Sequence, residues 1–307
     1  MSVLDVLPAQ VRVIVRDWLS ANHVVLRSAD DNVVIDTGYV THAPLTLSLL
    51  RSEHGIGNEP LRLIVNTHGH SDHVGGNVAL KEAYGCPIAF PAAEAPLVDA
   101  WDTKALLYDY ADQDMARFAI DERVEAGSTH TWGGLTWQAL AAPGHDMGAL
   151  VFFEPSHRIL VSGDALWENG YGFVMPQAVE PQALAAQRAT LEMIAALDVR
   201  AVIPGHGEVF TDVAAALERA YRRTDAFAAD DTRMARYALK VNLVFHLLTG
   251  RTLALADLPD YVQRVGIYRD LNAAVLQLPP TQLAELLVNE LERSGAVRVE
   301  GGRLCAA

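Results

Sequence analysis

Cysteine is almost absent from this sequence: only Cys86 and Cys305 occur among 307 residues. Two cysteines provide neither a disulfide framework nor a thiolate metal cluster, which excludes the small disulfide-stapled and cysteine-rich zinc classes. Long hydrophobic runs are also missing, since none approaches the roughly 18 residues of a membrane-spanning helix. The segment Met1–Val15 has no Lys or Arg before Arg12 and so lacks the basic start of a secretory signal. We therefore expect a cytoplasmic protein without a membrane partner.

Basic residues are scarce as well: 24 Lys and Arg stand against 38 Asp and Glu, for a net charge of −14. This balance argues against a general nucleic-acid coat protein. A hydrophobic fraction of 50% and a charged fraction of 20% are typical of a globular chain. The basic residues are concentrated late in the chain. Residues 219–307 hold 12 Lys and Arg and 10 Asp and Glu, whereas residues 1–218 hold 12 Lys and Arg and 28 Asp and Glu. The C-terminal part is therefore mildly basic beside an acidic first part.

The pattern of apolar residues changes near Asp212. Before this residue, short β-branched and apolar runs predict strands, the clearest at 32–38, 61–66, 135–141, 150–154, 158–162 and 201–204. After it, helical patterns dominate, at roughly 213–229, 232–249 and 281–294. The last helix is followed by a short hairpin at 297–304 with a Gly-Gly turn, which resembles a winged-helix-like module. We predict two domains, residues 1–212 and 213–307.

The strongest signal for chemistry is a dense cluster of ligand-type residues, His68-x-His70-x-Asp72-His73, directly after the apolar run 61–66. A loop that leaves a strand can direct several imidazoles and a carboxylate into one cavity. Neutral imidazole nitrogens and carboxylate oxygens suit zinc, and also iron or manganese. The cluster therefore predicts a metal site, and histidines that are satisfied in the core or lie on the surface are the weaker alternative.

Three later residues fit the same site: His145, Asp164 and His206. Each follows a predicted strand and has a glycine next to it, which lets the backbone approach closely. Functional sites of α/β proteins lie at strand ends, so we expect these side chains to join the first cluster.

In these residues and their order the chain resembles the metallo-β-lactamase superfamily of metallo-hydrolases. The resemblance covers about residues 10–212 and includes Asp36 in the turn Ile35-Asp36-Thr37-Gly38. It implies an α+β fold, a four-layer αβ/βα sandwich with the metals at one edge between the sheets. The helices after residue 212 would add a small helical C-terminal domain.

The resemblance also implies a role for each ligand-type residue. The first metal would be held by His68, His70 and His145, and the second by Asp72, His73 and His206. Asp164 would bridge the two, and Asp36 would brace the loop without binding metal. We expect two divalent metal ions. Zinc is the favoured metal, and iron and manganese are the alternatives. In such a site a metal-bridging hydroxide attacks the substrate, and Asp72 and Asp164 are the expected catalytic carboxylates.

Residues that contact substrate are less evident from the sequence. Trp167 and Tyr171 lie in an aromatic and glycine-rich stretch, 166–176, that follows Asp164. Arg222 and Arg223 belong to a run of basic residues at helical spacing in the C-terminal part. We predict all four as candidates for substrate binding, against packed aromatics and a solvated helix surface as the alternative.

Three functions are compatible with these features. A hydrolase of a small acyl substrate, a thioester, ester or lactone, is favoured; the glyoxalase II branch also carries a helical C-terminal domain. A metal-dependent nuclease or phosphodiesterase acting on RNA is the second, although an acidic first domain disfavours nucleic acid as a partner. A non-catalytic binding or regulatory protein with the same fold is the third. The Trp and Tyr residues outside the site leave room for a homodimer.

Overall fold

A computed structural model describes residues 6–307 of the chain. Residues 1–5, part of the segment in which we expect no secretory signal, lie outside the described residues. Fourteen strands form three sheets in the described chain. Their bounds are β1 Val11–Ile14, β2 His23–Leu26, β3 Val33–Ile35, β4 Leu63–Val65, β5 Ile88–Pro91, β6 Glu122–Val124, β7 Thr129–Trp132, β8 Leu135–Ala141, β9 Leu150–Glu154, β10 Ile159–Gly163, β11 Ala201–Pro204, β12 Leu253–Ala254, β13 Val297–Glu300 and β14 Arg303–Ala306.

The first sheet has the order β1-β2-β3-β4-β5-β6. Strands β1 to β3 pair antiparallel, and β3 to β6 pair parallel. The second sheet has the order β11-β10-β9-β8-β7, antiparallel except for the parallel pair β10 and β11. Strands β8, β10 and β11 therefore run in the same direction, and their carboxyl ends lie at one edge of this sheet. That edge receives the predicted ligands.

The two sheets pack face to face around an apolar core. Val33 and Ile35 of β3 meet Trp137 and Phe152 of the second sheet in one buried cluster. Val34, between them in β3, points to the opposite face, because successive side chains in a strand alternate. Both faces of the central strands are buried, so these strands consist of continuous apolar runs.

Helices cover the outer faces of both sheets. Their bounds are α1 Ala43–Leu50, α2 Ser71–Val74, α3 Asn77–Tyr84, α4 Ala95–Ala100, α5 Ala183–Ala196, α6 Val213–Ala229, α7 Asp231–Leu248, α8 Leu258–Arg264, α9 Gly266–Leu271 and α10 Pro280–Ser294. Short 3₁₀ turns at Val40–His42 and Asp109–Ala111 and a π-helical turn at Asn272–Leu276 complete the helical segments. Helix α1 packs against α3 on the first sheet, and α5 packs against α6 on the second. The predicted α+β four-layer sandwich is confirmed.

Helices α7 to α10 and the β13–β14 hairpin form a further apolar core, which Ala111 and Phe173 of the first part of the chain also join. Gly301 and Gly302 form the hairpin turn with φ of 56° and 76°, a left-handed pair that glycine adopts without strain. Helix α6 itself contributes Ala216, Leu217 and Ala220 to the core under the second sheet. The division of the chain at residue 212 remains a proposal. Among residues 6–307, no helix combines the length and the apolar character needed to cross a membrane.

Candidate metal centre

The His68–His73 segment is held in place by a buried carboxylate on a neighbouring strand. Strand β4 ends at Val65, and Asp36 follows β3, its parallel neighbour. The Thr67 backbone N–H donates to Asp36 Oδ1 at 2.9 Å, and the Thr67 hydroxyl donates to Oδ2 at 2.8 Å. His73 Nδ1 lies 2.7 Å from the same Oδ2. Asp36 thus contacts both the loop and one imidazole, which is the position that the family resemblance implies for a bracing residue.

Three imidazoles converge at one point beside this loop: His68, His70 and His145. His68 Nε2 lies 3.1 Å from His70 Nδ1, and His70 Nδ1 lies 2.7 Å from His145 Nε2. His145 Nδ1 donates to the carbonyl oxygen of Phe173, so a neutral His145 presents a bare lone pair at Nε2. Three converging nitrogens cannot all satisfy one another by hydrogen bonding. A divalent cation among them would satisfy all three.

A second group forms next to the first from Asp72, His73 and His206. His206 Nε2 lies 3.0 Å from Asp72 Oδ2, and His73 Nε2 lies 3.8 Å from the same oxygen. Because Asp36 accepts the Nδ1 hydrogen of His73, the opposite nitrogen, Nε2, is aimed into this group. That Nε2 is buried and has no hydrogen-bond partner among the described residues. This geometry also fits a cation, bound by two imidazoles and a carboxylate.

Asp164 lies between the two groups and presents one oxygen to each. Its Oδ1 is 3.3 Å from His73 Nε2 and 3.8 Å from His206 Nε2, and its Oδ2 is 3.4 Å from His145 Nε2. It follows β10, whose register against β11 shifts between Val161 and Gly163. The structure therefore brings all seven predicted ligand-type residues into one cluster, with Asp164 at the shared position.

The pKa values of the cluster follow from burial and from these contacts. Burial and the neighbouring imidazoles hold the pKa of His68 well below its ordinary value, and burial beside His145 lowers the pKa of His70 to about 3. Burial also lowers the pKa of His73, but three facing carboxylates, led by Asp36, outweigh it and hold that pKa well above its ordinary value. Burial raises the pKa of Asp164, yet the facing imidazoles outweigh it and keep this carboxyl ionised. The carboxylates thus attract positive charge, a proton on His73 or a divalent cation.

Aromatic side chains enclose the open side of the cluster, in a small cavity of about 80 Å³. Trp18 is 58% exposed, and its ring stacks on His206 with a centroid distance of 5.5 Å and an interplanar angle of 4°. Trp167 Nε1 donates to Asp164 Oδ1 at 3.1 Å. Val241 and Phe245 of α7 close the cavity from the C-terminal part. Trp167 was a predicted site residue, whereas Trp18 and the α7 residues were not.

The other three predicted substrate residues lie elsewhere. Tyr171 is fully buried, and its hydroxyl pairs with Thr224 Oγ1 at 3.0 Å, so it does not face the metal-site cavity. The Arg223 guanidinium donates to the carbonyl oxygens of Tyr171 and Asn169 and lies over the Tyr237 ring. Arg222 forms an exposed ion pair with Glu218. None of the three contacts the cluster, although both arginines line a pocket farther along the protein.

Comparison with known proteins finds relatives of this chain. The sequence profile of the Metallo-beta-lactamase superfamily matches residues 16–206. A hydroxyacylglutathione hydrolase of Hyphomonas neptunium (strain ATCC 15444) is 36% identical over 117 residues, 38% of each chain. A second, of Ectopseudomonas mendocina (strain ymp), is 32% identical over 155 residues, 50% of this chain and 48% of that protein. The matches thus span about two fifths to one half of these relatives.

The fold has a counterpart over nearly the whole chain. A beta-lactamase domain protein from Burkholderia ambifaria superposes with a TM-score of 0.59 and covers 98% of this chain and 94% of its own. Its sequence identity is 19%, so the similarity shows the fold alone. The superposition includes the helices after α6, which the family profile does not reach.

Proposed function

Because the chain belongs to the metallo-β-lactamase superfamily, we propose that this metallo-hydrolase uses two divalent metal ions to hydrolyse a small acyl substrate, with thioesters favoured over esters and lactones. One observation carries the proposal: seven ligand-type side chains converge in one buried cluster, and Asp164 presents an oxygen to each half. The relatives named hydroxyacylglutathione hydrolase support a thioester as the substrate class.

In this proposal His68, His70 and His145 hold one ion, Asp72, His73 and His206 hold the other, and Asp164 contacts both. When bound, the ions supply Lewis acidity, which polarises the substrate carbonyl and makes water nucleophilic near neutral pH. Zinc suits these nitrogen and oxygen donors, and iron and manganese use the same ligand types.

The chain's own residues orient these groups and control access to them. Asp36 accepts the Nδ1 hydrogen of His73, and the Phe173 carbonyl accepts that of His145, so both rings present Nε2 to the site. Asp72 Oδ2 faces His206 Nε2 and would bind the second ion, so its other carboxylate oxygen is the one proposed to take part in proton transfer. Trp18 and Trp167 exclude bulk water from one side of the cavity, which strengthens electrostatic interactions inside it.

Thiol release from thioesters tests the proposal. Metal-reconstituted protein is assayed with glutathione and coenzyme A thioesters, and separately with lactones, a phosphodiester and RNA. The control variants are His70→Ala, in the cluster, and His54→Ala, on the exposed surface. We expect turnover of a thioester that His70→Ala abolishes and His54→Ala retains. Turnover of RNA or the phosphodiester alone would replace the acyl proposal, and no turnover with two bound ions would refute hydrolysis of these substrates.

A further inference from the structure

A groove leads from the metal cluster along helix α7 toward the C-terminal part of the chain. It has a volume of about 510 Å³ and shares Trp18, Trp167 and Phe245 with the cavity over the cluster. Its walls are mainly apolar and include Val244 and Leu248 of α7. A substrate whose reacting group lies at the metals can therefore extend directly into this groove.

Beside the groove lies a pocket of about 430 Å³ whose lining is strongly basic. Among the described residues 6–307, the pocket is lined by four cations and by no carboxylate; the cations are Arg222, Arg223, Arg233 and Lys240. Arg223 and Lys240 also line the groove, so the two spaces are adjacent. We call this space the basic pocket.

The positive charge of the basic pocket is only partly compensated. Arg222 pairs with Glu218, and Lys240 pairs with Glu290, which it shares with Arg236. Within residues 6–307, neither Arg223 nor Arg233 pairs with a carboxylate.

Arg233 also lies in the first turn of α7, where the partial positive charge of the helix terminus disfavours a cation. Two carboxylates lie at this turn. Asp230 accepts a hydrogen bond from the backbone amide of Arg233, and Asp231 accepts from the backbone amides of residues 177 and 178. The four cations of the pocket favour an anionic ligand, and phosphate groups are partners that arginine can bind in a bidentate manner.

The charge along the groove indicates an occupant that is anionic only at its far end. Glu168 and Glu208 line the groove between the metal cluster and the basic pocket. These carboxylates repel phosphate groups along the middle of the path. A polynucleotide carries a negative charge at each nucleotide and would meet this repulsion. A ligand with an uncharged middle and a phosphorylated end avoids it.

The distance from the metal cluster to the basic pocket distinguishes between glutathione and coenzyme A as the thiol carrier. Phe245 and Val241 border the cluster cavity, and Arg233 lies eight to twelve residues earlier in α7, about 12 to 18 Å along the helix axis. The farther carboxylate of glutathione, on its γ-glutamyl arm, lies about eight bonds from the sulfur, as long as fewer than three extended residues, roughly 9 Å. The pantetheine arm of coenzyme A has about 13 bonds between sulfur and phosphorus, as long as about four residues, roughly 15 Å.

We propose that the groove and the basic pocket bind the carrier of an acyl thioester of the coenzyme A type, with its uncharged arm in the groove and its phosphate groups among Arg223, Arg233 and Lys240. The inference rests on the proposed function, because it places the thioester at the metal cluster. It adds that the preferred carrier is a phosphorylated thiol rather than glutathione.

Binding of thioethers that cannot be hydrolysed tests this proposal independently of turnover. Calorimetry with metal-loaded protein measures Kd for the S-methyl thioethers of coenzyme A, pantetheine and glutathione. We expect the coenzyme A derivative to bind at least about ten-fold tighter than the other two, with an affinity that falls as salt increases. Equal affinities, or tightest binding of the glutathione derivative, would overturn the proposal.

A charge reversal at Arg233 identifies the site of binding. Arg233→Glu should weaken binding of the coenzyme A thioether about ten-fold or more and lower the ratio of kcat/KM for coenzyme A over pantetheine thioesters to a similar degree. Glutamate three residues after the Asp230 cap suits the helix terminus, so α7 should remain folded, which circular dichroism checks. Arg200→Glu is the matched control. Arg200 is exposed and precedes β11, so it lies at the opposite end of this strand from the metal cluster.

The outcomes separate this inference from the proposed function. If Arg233→Glu leaves the Kd within two-fold of the Arg200→Glu value, the basic pocket is not the binding site and the inference fails, while thioester hydrolysis stands. If the thioether binds as expected but no thioester is hydrolysed, the proposed function fails and the pocket stands. Displacement of the thioether by a short RNA that binds more tightly would overturn the assignment in favour of a polynucleotide.

Discussion

Asp36 Oδ2 lies 2.7 Å from His73 Nδ1, and both side chains are buried. Asp36 follows β3, and His73 belongs to the segment after β4, the parallel neighbour of β3. The contact fixes which ring nitrogen of His73 carries the hydrogen, so Nε2 is directed toward Asp164 at 3.3 Å. A residue outside the proposed ligand set thereby determines how His73, a proposed ligand, faces the site.

Replacing Asp36 should therefore weaken metal binding without removing a ligand. We expect Asp36→Asn to lower metal affinity by about 10- to 100-fold, since the amide cannot hold His73 Nδ1–H as a carboxylate does. Competition with a chromogenic chelator measures the affinity. Asp31→Asn, which removes a carboxylate from a surface ion pair with Arg62, serves as the control. Unchanged affinity in Asp36→Asn would show that the contact only supports the loop.

Metal binding should release protons at about pH 7. In the metal-free protein, the facing carboxylates hold the pKa of His73 well above its ordinary value, so this imidazole is protonated at neutral pH. Binding requires the neutral ring, and the apparent affinity should rise with pH until His73 loses its proton. Calorimetric titration in two buffers with different ionisation enthalpies counts the released protons. This assignment would be contradicted if the titration released no protons and the metal affinity did not change between about pH 6 and 8.

Tyr171→Phe should affect stability more than activity. The hydroxyl is buried and hydrogen-bonded to Thr224, and burial raises the pKa of Tyr171 to about 12, so it stays neutral. Losing one buried hydrogen bond should lower the free energy of unfolding by about 1 kcal/mol. Urea denaturation measures the change, and kcat/KM for the best thioester should stay within two-fold. A ten-fold fall in kcat/KM would restore Tyr171 as a substrate-binding residue.

Trp18→Ala should raise KM with little change in stability. Trp18 is 58% exposed, yet it stacks on His206 and lines both the cluster cavity and the groove. We expect a rise in KM of about five-fold or more, since an aromatic contact with substrate contributes on the order of 1 kcal/mol. Metal content should remain at the wild-type level, and Trp18→Phe should recover part of the affinity. A loss of bound metal in Trp18→Ala would instead indicate support of His206.

The cluster could be predicted from the sequence because its residues are rare and follow strands. His68, His70, Asp72 and His73 lie within one short loop, and the apolar run before them marks the strand that positions it. The strands 135–141, 150–154 and 201–204 were predicted with the bounds that the structure has. The periodicity of apolar residues along a strand and the position where it ends are local properties, so both can be predicted directly from the sequence.

The walls of the cavity could not be predicted in the same way. Phe245 and Val241 reach the cluster because α7 packs across the edge of the sandwich, a contact with no local signature. Trp18 resembles any surface tryptophan in the sequence. Tyr171 was expected to face substrate because it follows Asp164 closely, but its backbone turns it into the core beside α6. Tertiary packing, rather than spacing along the chain, decides which aromatics line the site.

The number of metal ions per chain tests the account most directly. Elemental analysis of protein purified without chelator and titrated with zinc should give two ions per chain for the wild type and for His54→Ala. Asp164→Ala, which removes the carboxylate between the two groups, should retain fewer. One ion or none in the wild type at saturating zinc would contradict a dinuclear site built from these seven residues.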